Sequence, residues 1–323
     1  MNHSSAKEKS PPPNIDSKTI NDYLNFFTRD SGADMLPYVY AESSTFYNNL
    51  IKNCSDYYLC KDEVELINNN KDKIKKHLNN VTDILEIGPG SKHAVNNKTL
   101  PILKSAQNLK RYHALDYSKN YLEEACNAIQ ANLPELKVIP IEADLMNFGK
   151  LTLTSEGPKA ILSFGCTLCN FNKSNQTHII KEFYNLLNKK DVLILTIDNN
   201  QNKESLLKAY DNQYFYDFVM ASLQHYLKID PTFEKNLSSF EVKVELNESL
   251  NLIDAFFIVK NDLSFYFQGH GTIQLFKGQQ LNGIISHKPK TDQITDLLTQ
   301  NSFEVIEILD NSDKMKLFIC KKL

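Results

Sequence analysis

The residues of this 323-residue chain whose types and spacing point most directly to chemistry lie between Asp83 and Asp116. An apolar run, Asp83-Ile84-Leu85-Glu86-Ile87, breaks at Gly88-Pro89-Gly90, and a second run, Tyr112-His113-Ala114-Leu115, ends on Asp116. A glycine turn after a buried strand lets backbone approach a ligand with no Cβ in the way. An acid closing the next strand can accept hydrogen bonds from both hydroxyls of a ribose, so the pattern reads as a nucleoside pocket. A dinucleotide fingerprint requires a third glycine three residues after the second; His93 stands there, which disfavours a pyrophosphate. Glu86, two residues before the first glycine, and a proline within the turn suit instead the amino-acid tail of S-adenosylmethionine, which carries an ammonium and no phosphate. Taken alone, the turn also fits an ordinary strand end, since glycines punctuate many of them.

Positioning such a turn requires a sheet. From 81 to 198 short apolar runs alternate with amphipathic ones, the rhythm of a doubly wound α/β sheet, with strands expected at 83–87, 111–116, 137–142, 160–164 and 192–197. Between them Tyr121, Leu122, Ala125 and Ile129 share one helical face, as do Ile179, Ile180, Phe183, Leu186 and Leu187, spacings that place an apolar stripe against a sheet. After Asp198 the rhythm stops at Asn199-Asn200-Gln201-Asn202. An aromatic-rich helical segment is expected over 206–227, then strand-like runs over 240–276, which together read as an inserted substrate domain. Runs at 303–309 and 315–321 around Asp310-Asn311-Ser312-Asp313 read as a terminal hairpin. A hairpin completing a mostly parallel sheet is typical of class I methyltransferases. The expected fold is therefore α/β, a class I Rossmann-like methyltransferase sheet with an inserted α+β substrate-binding domain.

Composition narrows the partners. Hydrophobic residues make up 41% and charged residues 23%, with a net charge of −3, so no basic field is available to attract nucleic acid or anionic lipid. Residues 1–13 are polar and end in three prolines, without the apolar core of a signal peptide, and nowhere do about 18 apolar residues run together. The expectation is a flexible tail over 1–20 on a cytoplasmic, monomeric protein with a small-molecule substrate. The six cysteines are scattered, which argues against a disulfide scaffold. Cys166 and Cys169 form a C-x-x-C, but with no second pair and no histidine at ligand spacing a metal site is not expected.

From Tyr40 through Ser43-Ser44-Thr45-Phe46-Tyr47 to Ser55-Asp56-Tyr57-Tyr58-Leu59 and Glu63, the chain resembles the histidine Nα-methyltransferases of ergothioneine synthesis, which make trimethylhistidine. Four further blocks match in the same order: Glu86-Ile87-Gly88-Pro89-Gly90-Ser91, Phe164-Gly165-Cys166-Thr167-Leu168-Cys169-Asn170, Leu207-Lys208-Ala209-Tyr210-Asp211 and Ser286-His287-Lys288. The match runs from Tyr40 nearly to the C-terminus and includes the insertion. It implies a substrate-binding domain of 21–65 plus 200–285 and a cofactor-binding domain of 66–199 plus 286–323. It further implies that Glu86, Gly88 and Gly90 line S-adenosylmethionine, that Asp116 binds its ribose, and that Asp144 and Leu145 flank its adenine. Asn170 and Tyr210 would hold the carboxylate of an amino-acid substrate, Tyr57 would orient its ring, and Tyr40 would sit by the amine that accepts methyl. An amide and a phenol donate to a carboxylate without adding net charge beside a cationic sulfonium.

One position departs from the family. A glutamate two residues before the serine corresponding to Ser286 helps that serine grip the imidazole, and here the position is Ile284. A ring N–H left without its acceptor costs on the order of 1 to 3 kcal/mol, which puts histidine itself in question and suits an aromatic or apolar amino acid. The expected activity is an S-adenosylmethionine-dependent N-methyltransferase acting on the α-amine of a free amino acid. Its rivals are a non-catalytic module binding cofactor and amino acid, and a nicotinamide dehydrogenase, which rests on the glycine turn alone.

Overall fold

The computed structural model describes residues 16–28, 35–41, 44–146, 148, 151, 153, 155 and 157–323. Its strands, in chain order, are β1 (Asp83–Ile87), β2 (Arg111–Asp116), β3 (Lys137–Glu142), β4 (Lys159–Ser163), β5 (Val192–Asp198), β6 (Phe240–Asn247), β7 (Leu252–Val259), β8 (Leu263–Phe267), β9 (Gly271–Leu275), β10 (Gln280–His287), β11 (Phe303–Asp310) and β12 (Met315–Lys322). The chain divides into two units, one of Met1–Glu42, Asp211–Glu245 and Asp254–Ile284, the other of Ser43–Tyr210, Leu246–Ile253 and Ile285–Leu323.

The larger unit holds a seven-stranded sheet in the order β11-β12-β5-β4-β1-β2-β3. Strands β1 to β5 pair in parallel, and β12 pairs antiparallel to both β5 and β11. Every residue of β1, β4 and β5 is buried, as befits parallel strands covered by helices on both faces. That explains their unbroken apolar runs. β3 carries Pro140, which lacks a ladder donor, and it lies at the sheet edge. The helix Lys119–Asn132 buries Tyr121, Leu122, Ala125 and Ile129, and the helix Lys173–Leu186 buries Ile179, Ile180 and Phe183. The first face follows the expected stripe; on the second, Leu186 is only half-buried, and Leu187 is buried but follows the helix end.

The smaller unit is built around aromatic rings. Phe27, on the helix Ser17–Thr28, packs against Phe265 at 4.9 Å, Tyr226 at 5.1 Å and Phe233 at 5.4 Å between centroids. Tyr23 of the same helix donates from its hydroxyl to the Ser222 carbonyl at 2.6 Å. Large rings bury much apolar area per residue while their hydroxyls still find partners. β8 and β9 form an antiparallel pair, and β10, β7 and β6 form a three-stranded sheet in that order.

Several expectations need correction. Residues 17–20, expected in the tail, belong to the helix Ser17–Thr28, while 1–15 and Ser43 lie outside the described residues. Residues 44–65, expected with the substrate-binding part, belong to the sheet unit. The helical segment expected over 206–227 is two helices, Lys203–Tyr210 and Gln213–Tyr226. The break falls at Asn212, which leaves helical geometry and accepts a hydrogen bond from Phe215 N at 3.1 Å, capping the second helix. Among the described residues no helix is long and apolar enough to cross a membrane.

Candidate active site

Chain leaving β1 crosses to β2 on one side, while chain leaving β4 crosses to β5 on the other, so the sheet changes direction between β1 and β4. Open α/β sheets bind ligands outside the carboxyl ends of their strands at such a switch point. Both strand ends carry glycines here. Gly88 and Gly90 follow β1 with φ of +61° and +73°, and Gly165 follows β4 with φ of +74°. A Cβ on Gly88 would stand 3.5 Å from Thr167 Oγ1, and one on Gly165 would stand 3.8 Å from the same atom. The two loops thus face each other across bare backbone. Gly88 N donates to the Leu115 carbonyl at 2.8 Å, fixing the turn beside the end of β2. Cys166, next to Gly165, is itself left-handed at φ +53° without being glycine, a costly conformation of the kind that clusters at functional sites.

The β4 loop is held from beneath by buried charge. Glu63, on the helix Leu59–Asn69, accepts from Gly165 N and from Thr196 Oγ1 of β5 through one oxygen, and from Lys98 Nζ at 2.7 Å through the other. Burial works to lower the Lys98 pKa, but the charge and hydrogen bond of Glu63, with Cys60 and Glu86 nearby, together raise it by more, and the ammonium is held up. Glu86 lies under the β1 turn, where Thr99 Oγ1 donates to it at 2.8 Å and Tyr112 OH at 2.5 Å, so both its oxygens are engaged inside the protein. Burial pushes its carboxyl up to about 7 against the lowering effect of those hydrogen bonds.

Asp116 closes β2 and accepts from Ser118 N at 2.8 Å. Burial pushes its carboxyl up to about 6, opposed by hydrogen bonds from the backbone of Ser118, Gly90 and Tyr117. The acid is therefore tied directly to the glycine turn. Asp144 follows β3, accepts from Met146 N at 2.9 Å and is half-buried, as is Leu145. This donor and acceptor set fits S-adenosylmethionine: bare backbone at the switch point, an acid at the end of β2, and no third glycine to admit a pyrophosphate.

A second cluster gathers three of the residues expected to bind substrate. The rings of Tyr57 and Tyr210 meet edge to face at 5.7 Å, and Tyr210 OH lies 3.4 Å from Ser286 Oγ. Lys288 Nζ donates to Tyr210 OH at 2.7 Å and to Ser286 Oγ at 2.8 Å, and pairs with Asp198 Oδ2 at 2.7 Å. Asp198 also accepts from Tyr58 OH, at 2.9 Å and 2.8 Å to its two oxygens, and from Asn200 N at 3.1 Å. Burial, then the charge of Asp198, pushes the phenols of Tyr58 and Tyr210 well above their ordinary value, so both stay protonated at neutral pH.

The β4 loop borders this cluster, since the thiols of Cys166 and Cys169 act electrostatically on the Tyr210 phenol. Burial, then a hydrogen bond that it shares with Cys169 and that favours its protonated form, raises the Cys166 thiol well above its usual range, so Cys166 does not supply a thiolate at neutral pH. Asn170 ends the short 3-10 turn Thr167–Asn170 in the same loop, half-buried. Asn172, not Asn170, caps the following helix by accepting from Asn175 N at 2.9 Å.

Tyr40 and Ile284 lie in the smaller unit. Tyr40 is half-buried on the helix Leu36–Ala41, its ring 5.3 Å from that of Phe218. Ile284 is half-buried on β10. Sequence reasoning gave no role to Lys288, Asp198 or Tyr58. The signal was present only as the triplet Ser286-His287-Lys288, because a lysine beside a strand end reads as solvated until its partner, far off in the chain, is placed.

A parallel sheet closed by an antiparallel hairpin in this strand order, with a glycine turn after β1 and an acid after β2, defines a class I S-adenosylmethionine-dependent methyltransferase. The family model for histidine-specific, S-adenosylmethionine-dependent methyltransferases matches residues 37–322. The chain belongs to that family and is an S-adenosylmethionine-dependent N-methyltransferase. It is 24% identical over 281 residues to N-methyltransferase fsqC of Aspergillus fumigatus, covering 82% of this chain and 73% of that protein. It is also 24% identical over 178 residues to ergothioneine biosynthesis protein 1 of Neurospora crassa, covering 53% of this chain but only 20% of that much longer protein. Among solved structures it is similar to an S-adenosylmethionine-dependent methyltransferase from Clostridium acetobutylicum, with a TM-score of 0.46 and 14% identity, covering 86% of this chain and 97% of that one.

Proposed function

We propose that the protein methylates the α-amine of a free amino acid, histidine or a related aromatic or apolar amino acid, acting as a cytoplasmic monomer. The observation that carries this is the pair of hydroxyls on Tyr210 and Ser286, 3.4 Å apart and both anchored by the buried Lys288 ammonium. They form a compact polar pair beside the Tyr57 ring, a combination suited to an acid group next to an aromatic or apolar side chain. The name of the Aspergillus fumigatus relative, an N-methyltransferase, supports a nitrogen acceptor, and that of the Neurospora crassa relative, an ergothioneine biosynthesis protein, supports the likeness to enzymes of that synthesis.

When bound, S-adenosylmethionine supplies an electrophilic methyl group on a positively charged sulfur. Gly88 and Gly90 would give it bare backbone, with Glu86 supporting the turn from beneath, Asp116 would accept from its ribose, and Asp144 with Leu145 would border its adenine. Asn170 and Tyr210 would hold the acceptor's carboxylate, with Ser286 beside them and Tyr57 against the side chain. Ile284, where the family carries glutamate, would favour an apolar side chain over an imidazole. Tyr40 would orient the amine's lone pair or relay its proton; a phenol with an ordinary pKa of about 10 is a reluctant base at neutral pH. Holding nitrogen near the methyl carbon supplies most of the rate in such a displacement.

Ile284 also motivates a second reading, a module that binds cofactor and amino acid without transferring methyl. Incubation with labelled cofactor and each aromatic amino acid, with and without histidine as competitor, separates the two. Labelled product from at least one acceptor supports transfer; cofactor binding with no product from any acceptor supports the module.

A further inference from the structure

We infer that Glu63 is a positioning residue for the cofactor: bridged to Lys98, it holds the β4 loop at a set distance from the glycine turn after β1 and so governs the grip of the two loops on the cofactor's amino-acid tail. The role rests on the cofactor placement proposed above. One Glu63 oxygen accepts from Gly165 N and from Thr196 Oγ1, and Thr196 Oγ1 in turn accepts from Cys166 N at 3.4 Å. Two successive N–H groups of the β4 loop, both on left-handed residues, are thereby drawn inward. In a trans peptide the carbonyl points opposite to the N–H, so the Phe164 carbonyl, which shares its peptide with Gly165 N, is turned the other way. It accepts from Thr167 Oγ1 at 2.8 Å, the atom that a Cβ on Gly88 would approach to 3.5 Å. The hold on Gly165 N therefore fixes which side of the β4 loop faces the β1 turn.

The second Glu63 oxygen reaches the other loop. It accepts from Lys98 Nζ at 2.7 Å, and both side chains are withdrawn from solvent. Lys98 stands in the helix that follows the β1 turn, where that helix opens to π geometry over Val95–Thr99; such π turns are rare and frequent at functional sites. The next residue, Thr99, donates to Glu86 of β1 at 2.8 Å. One short segment thus ties down both carboxylates, one beneath each loop. A Cβ on Gly165 would stand 3.9 Å from Lys98 Nζ, so the ammonium lies close under the β4 loop itself. A buried ion pair is a poor source of stability, because its desolvation commonly cancels its attraction, whereas a fixed bridge between two facing loops is a use that an apolar pair of the same volume does not supply.

The test titrates the full chain calorimetrically with S-adenosylhomocysteine and with methylthioadenosine, which keeps the thioether nucleoside and lacks the amino-acid tail. The wild-type protein is expected to bind S-adenosylhomocysteine about tenfold or more tightly than methylthioadenosine. The double variant Glu63→Gln/Lys98→Met removes both charges of the pair and keeps an oxygen for Gly165 N, but breaks the bridge. Its preference for the tailed ligand is expected to fall about fivefold, with methylthioadenosine affinity held within about twofold. Thr196→Val, which keeps the ion pair and releases Cys166 N, is expected to lower the preference about threefold. Asp116→Asn is expected to weaken both ligands alike, since both carry the ribose. A wild-type preference near one, or a preference unchanged in either variant because the two ligands weaken equally or not at all, overturns the role of Glu63, and the cofactor placement stands so long as Asp116→Asn weakens both. If Asp116→Asn weakens neither ligand, the placement falls, and the role of Glu63 with it.

Discussion

Lys288 Nζ lies 2.7 Å from Asp198 Oδ2 with both side chains withdrawn from solvent. The partners come from the stretch after β10 and from the end of β5, so the contact also ties the segment following the insertion back to the sheet. Removing one member leaves the other charged and buried. Lys288→Met alone is expected to destabilise the protein by about 3 to 5 kcal/mol, and adding Asp198→Asn to recover most of that loss. Urea denaturation of the two variants beside the wild type checks this; equal stability of single and double variants would contradict it.

Glu86 makes a pH-dependent contribution of known sign. Its carboxyl ordinarily titrates at 4.5 and is pushed up to about 7 in the folded protein by burial. Between those values the folded chain holds a proton that the unfolded chain has released. Stability from this group therefore falls as pH rises from 4.5 to about 7, by on the order of 3 kcal/mol, and is flat above. Glu86→Gln should remove that slope, so the stability difference between variant and wild type should change over this window. A constant difference across it would show that the group titrates normally.

Asp116 predicts a pH dependence of cofactor binding. With its carboxyl at about 6, the acid is ionised above that pH and accepts from hydroxyls, and below it is protonated and accepts less well. Affinity for S-adenosylmethionine should be level above about pH 7 and fall about tenfold per unit well below 6. Asp116→Asn should bind about tenfold more weakly at neutral pH, a charge-assisted hydrogen bond being worth about 1.5 kcal/mol or more, and should lose the acid-side decline. Calorimetry from about pH 5 to about pH 8 reads both effects.

Tyr40→Phe removes a single hydroxyl from a residue whose ring stays packed on Phe218. Turnover is expected to fall about 100-fold, with cofactor affinity unchanged. Single-turnover kinetics with labelled cofactor separates the two quantities, and an unaltered rate removes Tyr40 from the mechanism.

The sheet was legible because strands buried on both faces need no alternation: the runs at Ile84, Ile161 and Leu193 announce themselves. The β1 turn and Asp116 were legible because their residue types follow from local backbone need. The expected fold and cofactor class follow from these, and family membership agrees with them. The break at Asn212 was not legible, since aromatic residues on both sides of it keep up a helical pattern and only the cap geometry ends the first helix. Nor were the buried pairs, Lys288 with Asp198 and Lys98 with Glu63. Each joins residues distant in sequence, and a lysine carries no local mark of where its ammonium will go. The helix carrying Tyr23 and Phe27 was hidden for another reason: its apolar face packs on rings supplied by residues 226–267, so its place depends on tertiary structure.

The most direct test of the site is a crystal structure of the protein with S-adenosylhomocysteine and whichever amino acid it methylates. The account predicts the nucleoside against Gly88, Gly90 and Asp116, and the acceptor's carboxylate within hydrogen-bond reach of Asn170, Tyr210 and Ser286, its side chain on Tyr57. An acceptor bound with its carboxylate away from Tyr210 and Ser286, or a nucleoside away from Asp116, would contradict it.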